Sequence, residues 1–342
     1  MRRNPRLSRA AGVCLVTALG LTACVDTSVD PQVVEEVQFD GEEVRLAHVY
    51  DANHPVEVCG VTAANEALDG TDVRINSYPG GQLGSEGELL EQVQAGSLEM
   101  AIAGPSFHGI WEEEAEVFDA AYLFTDVDHM ERTVNGPVAE DIFERLRENY
   151  GLDVHATWYL GTRHATGNTE VIDSGDMAGQ AFRVPEAPLF RALAEVLGAS
   201  ATFMSLDEVY LGLQQGTIDA QENPAPTISA NSLYEVQEYL NLTHHIVAGV
   251  MVTGSEAALS VLEDHEQEAL REALQEGAEA TRDCVEAEEE ELFAEWEETG
   301  AITVNDDVDL DHFRDRAAEV IPEQFSWGEL YLQIQEEGQA DD

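Results

Sequence analysis

Two periods of hydrophobic and polar residues follow one another between residues 179 and 198, first that of a strand and then that of a helix. The run Ala181–Val184 predicts a short strand, because Pro185 follows it and cannot donate a hydrogen bond to a strand ladder. The next apolar residues recur at helical spacing and end directly before Gly198, where a helix commonly ends. They are Leu189, Leu193, Val196 and Leu197.

A second helix and a second strand complete this unit. Ser205 and Glu208 have the spacing of a capping box, in which the two side chains satisfy free N–H groups of the first helical turn. Residues 217–220 are strand-like and lead into Asn223. Arg183 therefore lies at the end of one strand and Asn223 at the end of another, with helices between them. This layout is typical of an α/β protein that directs polar side chains into a crevice.

The rest of the chain shows the same two kinds of pattern. Further strands are predicted at residues 44–50, 72–78, 154–159 and 245–252. Further helices are predicted after Pro55 to about Leu68, from Ser85 onward, and at residues 233–240, 264–299 and 310–332. Residues 338–342 are expected to be a frayed end. We interpret the glutamate-rich run 286–291 as a solvated face of the long helix, not as a metal site.

The first 24 residues have the pattern of a secretory signal peptide. Four arginines precede an apolar run from Ala10 to Leu21, which is too short to span a bilayer. Residues 21–24 resemble a bacterial lipoprotein box, in which Cys24 is lipidated; a plain signal peptide cleaved near Ala23 is the alternative. An acidic tether at residues 25–43 follows. We therefore predict an extracytoplasmic protein, anchored by lipid to the outer face of the cell membrane or periplasmic.

The charge of the chain is extreme, because 69 acidic residues stand against 16 basic ones, all of them arginine. A surface this acidic repels nucleic acid and anionic lipid headgroups, so we expect no nucleic-acid partner and no membrane contact except the lipid anchor. The absence of lysine favours a halophilic source, since molar salt shortens the Debye length to about 3 Å and screens the repulsion. Acidity for ordinary solubility is the alternative, but it does not explain the missing lysines.

The segment Ser85–Ala101 resembles the segment Ser205–Gln221, which lies 120 residues further along the chain. Both begin with S-x-x-E and carry glutamine and glycine at the same places. Both also contain Ser or Thr, an aliphatic residue and an acid near the end. A helix followed by a glycine and a strand is common in α/β proteins, and this explains part of the match. The extent of the match nevertheless indicates two lobes built on one plan. An extracytoplasmic α/β protein with two such lobes is most simply a ligand clamp.

Positive charge is scarce, which makes Arg163 and Arg183 informative. Each lies at the end of a predicted strand, and a guanidinium group pairs with a carboxylate through two parallel hydrogen bonds. Pairing with one of the chain's own acids is the alternative for either arginine. Asn223 is a further donor to a bound carboxylate, or it caps the turn before Pro224.

Five other residues are candidates for the lining of a ligand pocket, although aromatic residues of this kind more often belong to a core. They are Tyr50, Glu86, Phe107, Trp158 and Tyr210. Cys59 and Cys284 both fall in predicted helices, and an oxidising compartment permits a disulfide between them. Two buried free thiols are the alternative.

Enzyme motifs are missing from the sequence. It contains no H-E-x-x-H, G-x-S-x-G or G-x-G-x-x-G motif, and its glycine-rich turn at residues 79–84 lacks the ending of a phosphate loop. The neighbours His244 and His245 point to different sides of a strand, which disfavours one shared metal. We therefore predict neither an enzyme activity nor a cofactor.

Eight short runs, taken in order, resemble the extracytoplasmic solute receptors of TRAP (tripartite ATP-independent periplasmic) transporters, of the dicarboxylate-receptor type. They are Tyr78–Gly84, Phe118–Phe124, Gly161–Arg163, Phe182–Pro185, Leu197–Ala199, Glu208–Tyr210, Gln221–Pro224 and Tyr234–Val236. The resemblance implies a two-lobed α/β clamp like that of periplasmic binding proteins, with hinge strands and a long connecting helix. Lobe I is then expected at residues 44–160 and 249–288, and lobe II at residues 161–248 and 289–342.

The resemblance also implies roles for three residues. In this family the arginine of the R-V-P run, here Arg183, forms the salt bridge to the substrate carboxylate. Arg163 corresponds to a second arginine of some members, and Asn223 to the asparagine of the E-N-P run. Such a receptor delivers its ligand to the membrane permease subunits of the transporter, which an ion gradient drives.

Departures from two branches of the family narrow the expected ligand. Val49 and Gly104 stand where the sialic-acid branch has asparagine and glutamate, and Ala181 stands where the ectoine branch has tryptophan. A sugar acid, a four-carbon dicarboxylate or another short hydroxy or keto acid remains. The alternative functions are an ABC-type solute-binding lipoprotein, a secreted hydrolase that uses paired acids, and a structural surface lipoprotein.

Overall fold

The computed structural model describes residue 39 and residues 41–340. The predicted signal peptide, Cys24 and most of the acidic tether lie outside these residues. From residue 41 onward the described chain belongs to one compact unit. No helix in this part of the chain is both long and apolar enough to cross a bilayer.

Nine strands are present among the described residues. They are β1 Glu42–Ala47, β2 Val73–Tyr78, β3 Met100–Ala103, β4 Leu152–Gly167, β5 Ala181–Val184, β6 Ser200–Phe203, β7 Gln221–Pro224, β8 Tyr239–Ser255 and β9 Thr303–Asn305. Seven of them form one sheet in the order β2–β1–β3–β8–β4–β7, with β9 also paired to β8. β5 and β6 form a separate parallel pair.

Helices cover both the large sheet and the small one. Those in the described part are α1 Thr62–Ala67, α2 Glu86–Gln94, α3 Pro105–His108, α4 Val127–Val134, α5 Pro137–Tyr150, α6 Leu189–Leu197, α7 Val209–Gln215, α8 Ala225–Ala230, α9 Glu256–Leu259, α10 Asp264–Thr299, α11 Leu310–Gln324 and α12 Gly328–Ala340. A π-helical turn, Val56–Val61, precedes α1. The structure is therefore a mixed α/β fold, as predicted.

The central pair of the large sheet is longer than the sequence pattern indicates. β4 has 16 residues and β8 has 17, and the two run antiparallel. Three register shifts interrupt their pairing. β8 pairs with β3, which is followed by α3 and Phe107, and β4 pairs with β7, which carries Asn223. The central pair therefore connects these two parts of the structure.

The strand and the two helices predicted between residues 181 and 216 are confirmed at most of their boundaries. β5 has the predicted bounds, and α6 ends at Gly198. α7 ends at Gly216. Both glycines have positive φ, 86° and 69°, a conformation that side-chain-bearing residues adopt only at a cost.

Pairing between distant strands overrides the local pattern in two places. The helix predicted at residues 233–240 is wrong: Leu233–Glu235 is a short 3-10 turn, and β8 begins at Tyr239. Leu240 pairs with β4 and β9, which fixes the extended form. The strand predicted at residues 217–220 is also wrong, because the strand is β7; only Ala220 forms a bridge, to Phe182.

Two predictions about helix ends are corrected. The Ser205 hydroxyl donates to Asp207 at 2.6 Å and to Glu208 at 3.2 Å, so it does not cap the helix, which starts with a 3-10 turn. In the related segment, Glu88 does accept from the Ser85 backbone N–H at 3.0 Å, and a capping box is present. Of the end that was predicted to be frayed, residues 338–340 belong to α12, and residues 341–342 lie outside the described residues.

A disulfide joins Cys59 to Cys284 across 225 residues, with the two Cα atoms 6.4 Å apart. It connects the π-helical turn with α10, whose bounds are those predicted for the long acidic helix. The disulfide therefore fixes α10 against the first part of the described chain.

Candidate functional site

A cavity of about 380 Å³ opens between two walls that come from distant parts of the sequence. One wall holds Val49, the start of α2 and Phe107 of α3. The other holds Arg183 at the end of β5 and the turn that precedes α7. A narrow extension of about 30 Å³ shares Glu86 and Arg183 with this cavity and continues inward to β4 and β7.

The internal repeat supplies both walls. Ser85 and Glu88 line the cavity from one side, and Ser205 and Glu208 line it from the other. The two S-x-x-E segments therefore face each other across the opening. This placement explains the repeat physically, since each copy builds one side of the same cleft.

Arg183 is buried, with 3% of its surface exposed. Its Nε donates to the Met204 carbonyl at 2.9 Å, and it forms no ion pair with any described residue. Burial lowers the pKa of Arg183 to about 10, with the nearby charges acting in both directions, so the side chain remains a cation at neutral pH. Its two terminal nitrogens have no hydrogen-bond partner among the described residues.

Arg163 lies in the inner extension and has a carboxylate partner. Its Nε donates to Glu222 at 2.5 Å, and its Nη2 donates to the same carboxylate at 2.8 Å and to Asn223 Oδ1 at 3.1 Å. The His245 ring lies 3.1 Å from Glu222 on the other side. Burial alone raises the pKa of Glu222, but Arg163 and His245 outweigh it and hold that pKa at about 2. Glu222 is therefore a carboxylate that occupies one edge of the Arg163 guanidinium group.

The Asn223 side chain is also engaged within the chain. Its Nδ2 donates to Gln221 at 2.7 Å, in addition to the bond that its Oδ1 accepts from Arg163. Asn223 lines the inner extension and is 3% exposed. The structure therefore brings Arg163, Arg183 and Asn223 together, as the sequence predicts, but two of the three are already bonded to each other.

Two carboxyl groups face this cluster from the opposite wall. Glu86 accepts from the Gly104 N–H at 2.9 Å, and Asp119 accepts from the Ser106 N–H at 2.8 Å and from its hydroxyl at 2.5 Å. Burial raises the pKa of Glu86 to about 7 and that of Asp119 to about 6. Near neutral pH these groups can accept or donate a hydrogen bond.

Sequence reasoning missed Asp119. It lies in the run Phe118–Phe124, which carries part of the family resemblance, but among 69 acids a single carboxylate gives no signal. Its burial, 5% exposed, and its position in the inner extension distinguish it.

The aromatic candidates divide into two groups. Tyr50 and Phe107 line the inner extension, and Phe107 also lines the main cavity. Trp158 does not belong to the site, because its ring packs against Gly60 and Gly277 and its Nε1 donates to the Leu274 carbonyl at 2.9 Å. Tyr210 lies outside the cavity as well, where its hydroxyl donates to Glu235 at 3.3 Å. Sequence spacing does not distinguish these environments, since each depends on contacts with residues far away in the chain.

Metal ligation has no basis in the described residues. None of their histidines, cysteines and acids form a group of three or more that suits a metal ion. The glutamate-rich run of α10 is mostly exposed, except that Glu289 bonds to β4.

A family model matches most of the chain. The model for "Bacterial extracellular solute-binding protein, family 7" covers residues 61–327. These residues include the whole β4–β8 pair and all of the residues that line the cavity except Val49.

Two characterised relatives are similar in sequence. The sialic acid-binding periplasmic protein SiaP of Vibrio cholerae is 35% identical over 210 residues, which cover 61% of this chain and 65% of that protein. The 2,3-diketo-L-gulonate-binding periplasmic protein YiaO of Escherichia coli is 31% identical over 206 residues, 60% of this chain and 62% of that protein. The matched region thus spans a little under two thirds of each relative.

Solved structures match over a larger share of the chain. A TRAP periplasmic solute-binding protein of Roseobacter denitrificans with bound L-galactonate has a TM-score of 0.80 at 26% identity, over 85% of this chain and 98% of that one. One from Polaromonas sp. JS666 bound to D-erythronate has a TM-score of 0.79 at 25% identity, over 86% and 98%. The likeness extends to the whole two-lobed clamp of these proteins.

Proposed function

Because the chain belongs to the family 7 bacterial extracellular solute-binding proteins of TRAP transporters, we propose that it captures a small organic acid in the cavity around Arg183. The acid's carboxylate bonds to the terminal nitrogens of Arg183. The receptor then passes the acid to the permease subunits of its transporter. It performs no chemistry on the acid.

The state of Arg183 carries this proposal. In a chain with 69 acidic residues, a buried arginine without a carboxylate partner among the described residues is unusual. A buried cation is costly unless an anion pairs with it. A ligand carboxylate supplies that anion, and exclusion of water on closure strengthens the pair.

Arg163 and Asn223 have a different part in this proposal. Two nitrogens of Arg163, Nε and Nη2, donate to Glu222, so Nη1 is the nitrogen left for a ligand. Its charge is balanced by Glu222, and it acts as a single donor next to Arg183. Asn223 orients Arg163 through the 3.1 Å bond more than it contacts the ligand.

The carboxyl groups in the cavity favour one class of acid. A dicarboxylate places its second charge close to Glu86 and Asp119, or to the acids of the opening, Glu88, Glu186 and Glu208. Hydroxyl groups instead form hydrogen bonds with the same carboxyls. We therefore favour a monocarboxylate with several hydroxyl groups, that is, a sugar acid. The bound L-galactonate and D-erythronate of the similar structures support this choice.

The location follows from the same proposal. We infer a secreted receptor held at the outer face of the cell membrane by lipid on Cys24. High external salt screens the acidic surface and sustains the sodium gradient on which such transport usually depends.

A thermal-shift screen in about 2 M NaCl tests the proposal, since that salt keeps the Debye length below about 3 Å. The panel contains L-galactonate, L-gulonate, D-erythronate, malate and pyruvate. An acid at about 100 times its dissociation constant adds about 2.7 kcal/mol and raises the melting temperature by several degrees.

We expect a shift with a sugar acid that Arg183→Ala abolishes and the surface variant Arg191→Ala preserves. A shift that persists in Arg183→Ala would contradict the role of Arg183. No shift with any of the acids would contradict the receptor function. A shift with malate alone would contradict the choice of a sugar acid.

A further inference from the structure

β4 changes the direction of its side chains just before Arg163. Tyr159 pairs with Gly249 of β8 and Gly161 pairs with the adjacent Ala248, so Leu160 is an extra residue in β4. In a regular strand, residues three apart point to opposite faces. Here Leu160 and Arg163 both line the inner extension of the cavity. The extra residue therefore turns Arg163 into the site.

The opposite face of β4 shows the complementary change. Tyr159 and Thr162, also three residues apart, both line a groove of about 1030 Å³ on the far side of the strand. The bulge thus separates two sets of side chains, one for the cavity and one for the groove.

Gly161 at the centre of this bulge has no space for a side chain. Its φ is 120°, which favours glycine. A Cβ atom built there lies 2.7 Å from Pro224 Cβ and 2.8 Å from Glu289 Oε1. Three elements therefore meet at this glycine: β4, β7 and α10.

Glu289 is the residue of α10 that enters the bulge. Its Oε1 accepts from the Thr162 backbone N–H at 3.0 Å, and its Oε2 lies 3.4 Å from the Tyr159 hydroxyl, which donates to it. A backbone N–H that a bulge removes from the ladder needs another acceptor when it is buried. Glu289 supplies that acceptor one residue before Arg163.

We propose that Glu289 is a positioning residue for ligand capture, which holds the β4 bulge and so directs Arg163 towards Glu222 and the cavity. Its hydrogen bonds go to the Thr162 N–H and to the Tyr159 hydroxyl, and neither of these residues lines the cavity or its inner extension. The expected effect of Glu289 on ligand affinity rests on the proposed function, whereas its effect on the β4 bulge does not.

Three variants separate positioning from a general effect on folding. Glu289→Ala removes the acceptor, whereas Glu289→Gln keeps an oxygen that accepts from Thr162. Glu290→Ala is the control, because Glu290 is an exposed neighbour on the same helix. If Glu289→Ala does not fold, Glu289→Asp replaces it, since its shorter side chain does not reach Thr162.

The first measurement is hydrogen exchange at the Thr162 amide, without any ligand. We expect exchange about tenfold faster in Glu289→Ala, and wild-type exchange in Glu289→Gln and Glu290→Ala. Wild-type exchange in Glu289→Ala, or fast exchange in Glu289→Gln, would overturn the proposal.

The second measurement is titration calorimetry of each folded variant with L-galactonate. We expect affinity about tenfold weaker in Glu289→Ala and rescued in Glu289→Gln. A lower melting temperature with unchanged affinity would reduce Glu289 to a stabilising contact and overturn its role in capture. If the wild-type chain binds none of the five acids, the proposed function fails, and the exchange measurement still decides whether Glu289 holds the bulge.

Discussion

At the scale of single residues, the two buried arginines differ in their partners. Arg163 is bonded to Glu222, and Arg183 has no carboxylate partner in the described chain. Sequence position alone makes them equivalent, since each ends a predicted strand. The difference arises because β4 and β7 pair in register, which places Glu222 and Asn223 beside Arg163. β5 instead pairs with β6, Ser200–Phe203, which contains no acidic residue.

Glu86 gives a prediction about pH. Burial raises its pKa from 4.5 to about 7, so the folded chain binds more protons than the unfolded chain between these values. By linkage, this group makes the free energy of unfolding fall as pH rises from about 4.5 to about 7. We expect Glu86→Gln to be more stable than wild type at pH 8, by up to about 3 kcal/mol.

Urea unfolding at pH 5 and pH 8 checks this expectation in about 2 M NaCl, where general charge effects are screened. Glu88→Gln is the matched control on the exposed side of the same helix. Equal stability of Glu86→Gln and wild type at both pH values would contradict the predicted effect of burial.

At the scale of elements, the repeat folds into two similar helix starts with different contacts. The Glu88 carboxylate accepts from the Ser85 backbone N–H, whereas the Glu208 carboxylate accepts from the Ser205 hydroxyl and not from its backbone N–H. The difference follows from the 3-10 turn that opens the second copy. A shared sequence pattern therefore does not ensure a shared cap.

This difference predicts unequal effects of one substitution. Glu88→Ala should lower the free energy of unfolding by about 0.5–1 kcal/mol, because it removes a capping bond. Glu208→Ala should have less than half that effect. Urea unfolding of both variants measures the difference, and equal losses would mean that the two helix starts have the same cap.

The disulfide also acts between elements, since it connects the π-helical turn with α10. It closes a loop of 225 residues, which restricts the unfolded chain strongly. We expect Cys59→Ser/Cys284→Ser to lose about 2–5 kcal/mol of stability. Thermal unfolding of the variant beside the wild type, each with and without reductant, checks this. A reductant effect that remains in the double variant would contradict the assignment.

At the scale of the whole molecule, the charge of −53 opposes folding at low ionic strength. The arginine pairs of the surface, such as Arg282 with Asp128 at 2.6 Å, offset only part of this repulsion. Stability is therefore expected to depend on screening by salt more than on individual ion pairs.

We expect the melting temperature to rise steadily between about 0.05 and 2 M NaCl, because the Debye length falls from more than 10 Å to less than 3 Å. A thermal scan at several NaCl concentrations measures the rise. Sucrose at matched water activity is the control for effects other than screening. A melting temperature that does not change with NaCl would contradict the halophilic interpretation.

The sequence by itself determined the features that consecutive residues encode. The bounds of β5 and α10, the glycines that end α6 and α7, and the repeat that builds both walls all follow from periodicity and from the backbone freedom of glycine. The residues of the family runs were also sufficient to indicate a TRAP receptor.

Only the tertiary structure decided which side chains share a partner. It placed Asp119 in the inner extension of the cavity and Trp158 in the core, and in place of the helix predicted at residues 233–240 it formed a 3-10 turn and the start of β8. It also paired Glu222 with Arg163. These outcomes depend on contacts between residues far apart in the chain. Among 69 acids, local spacing cannot specify which one meets a given arginine.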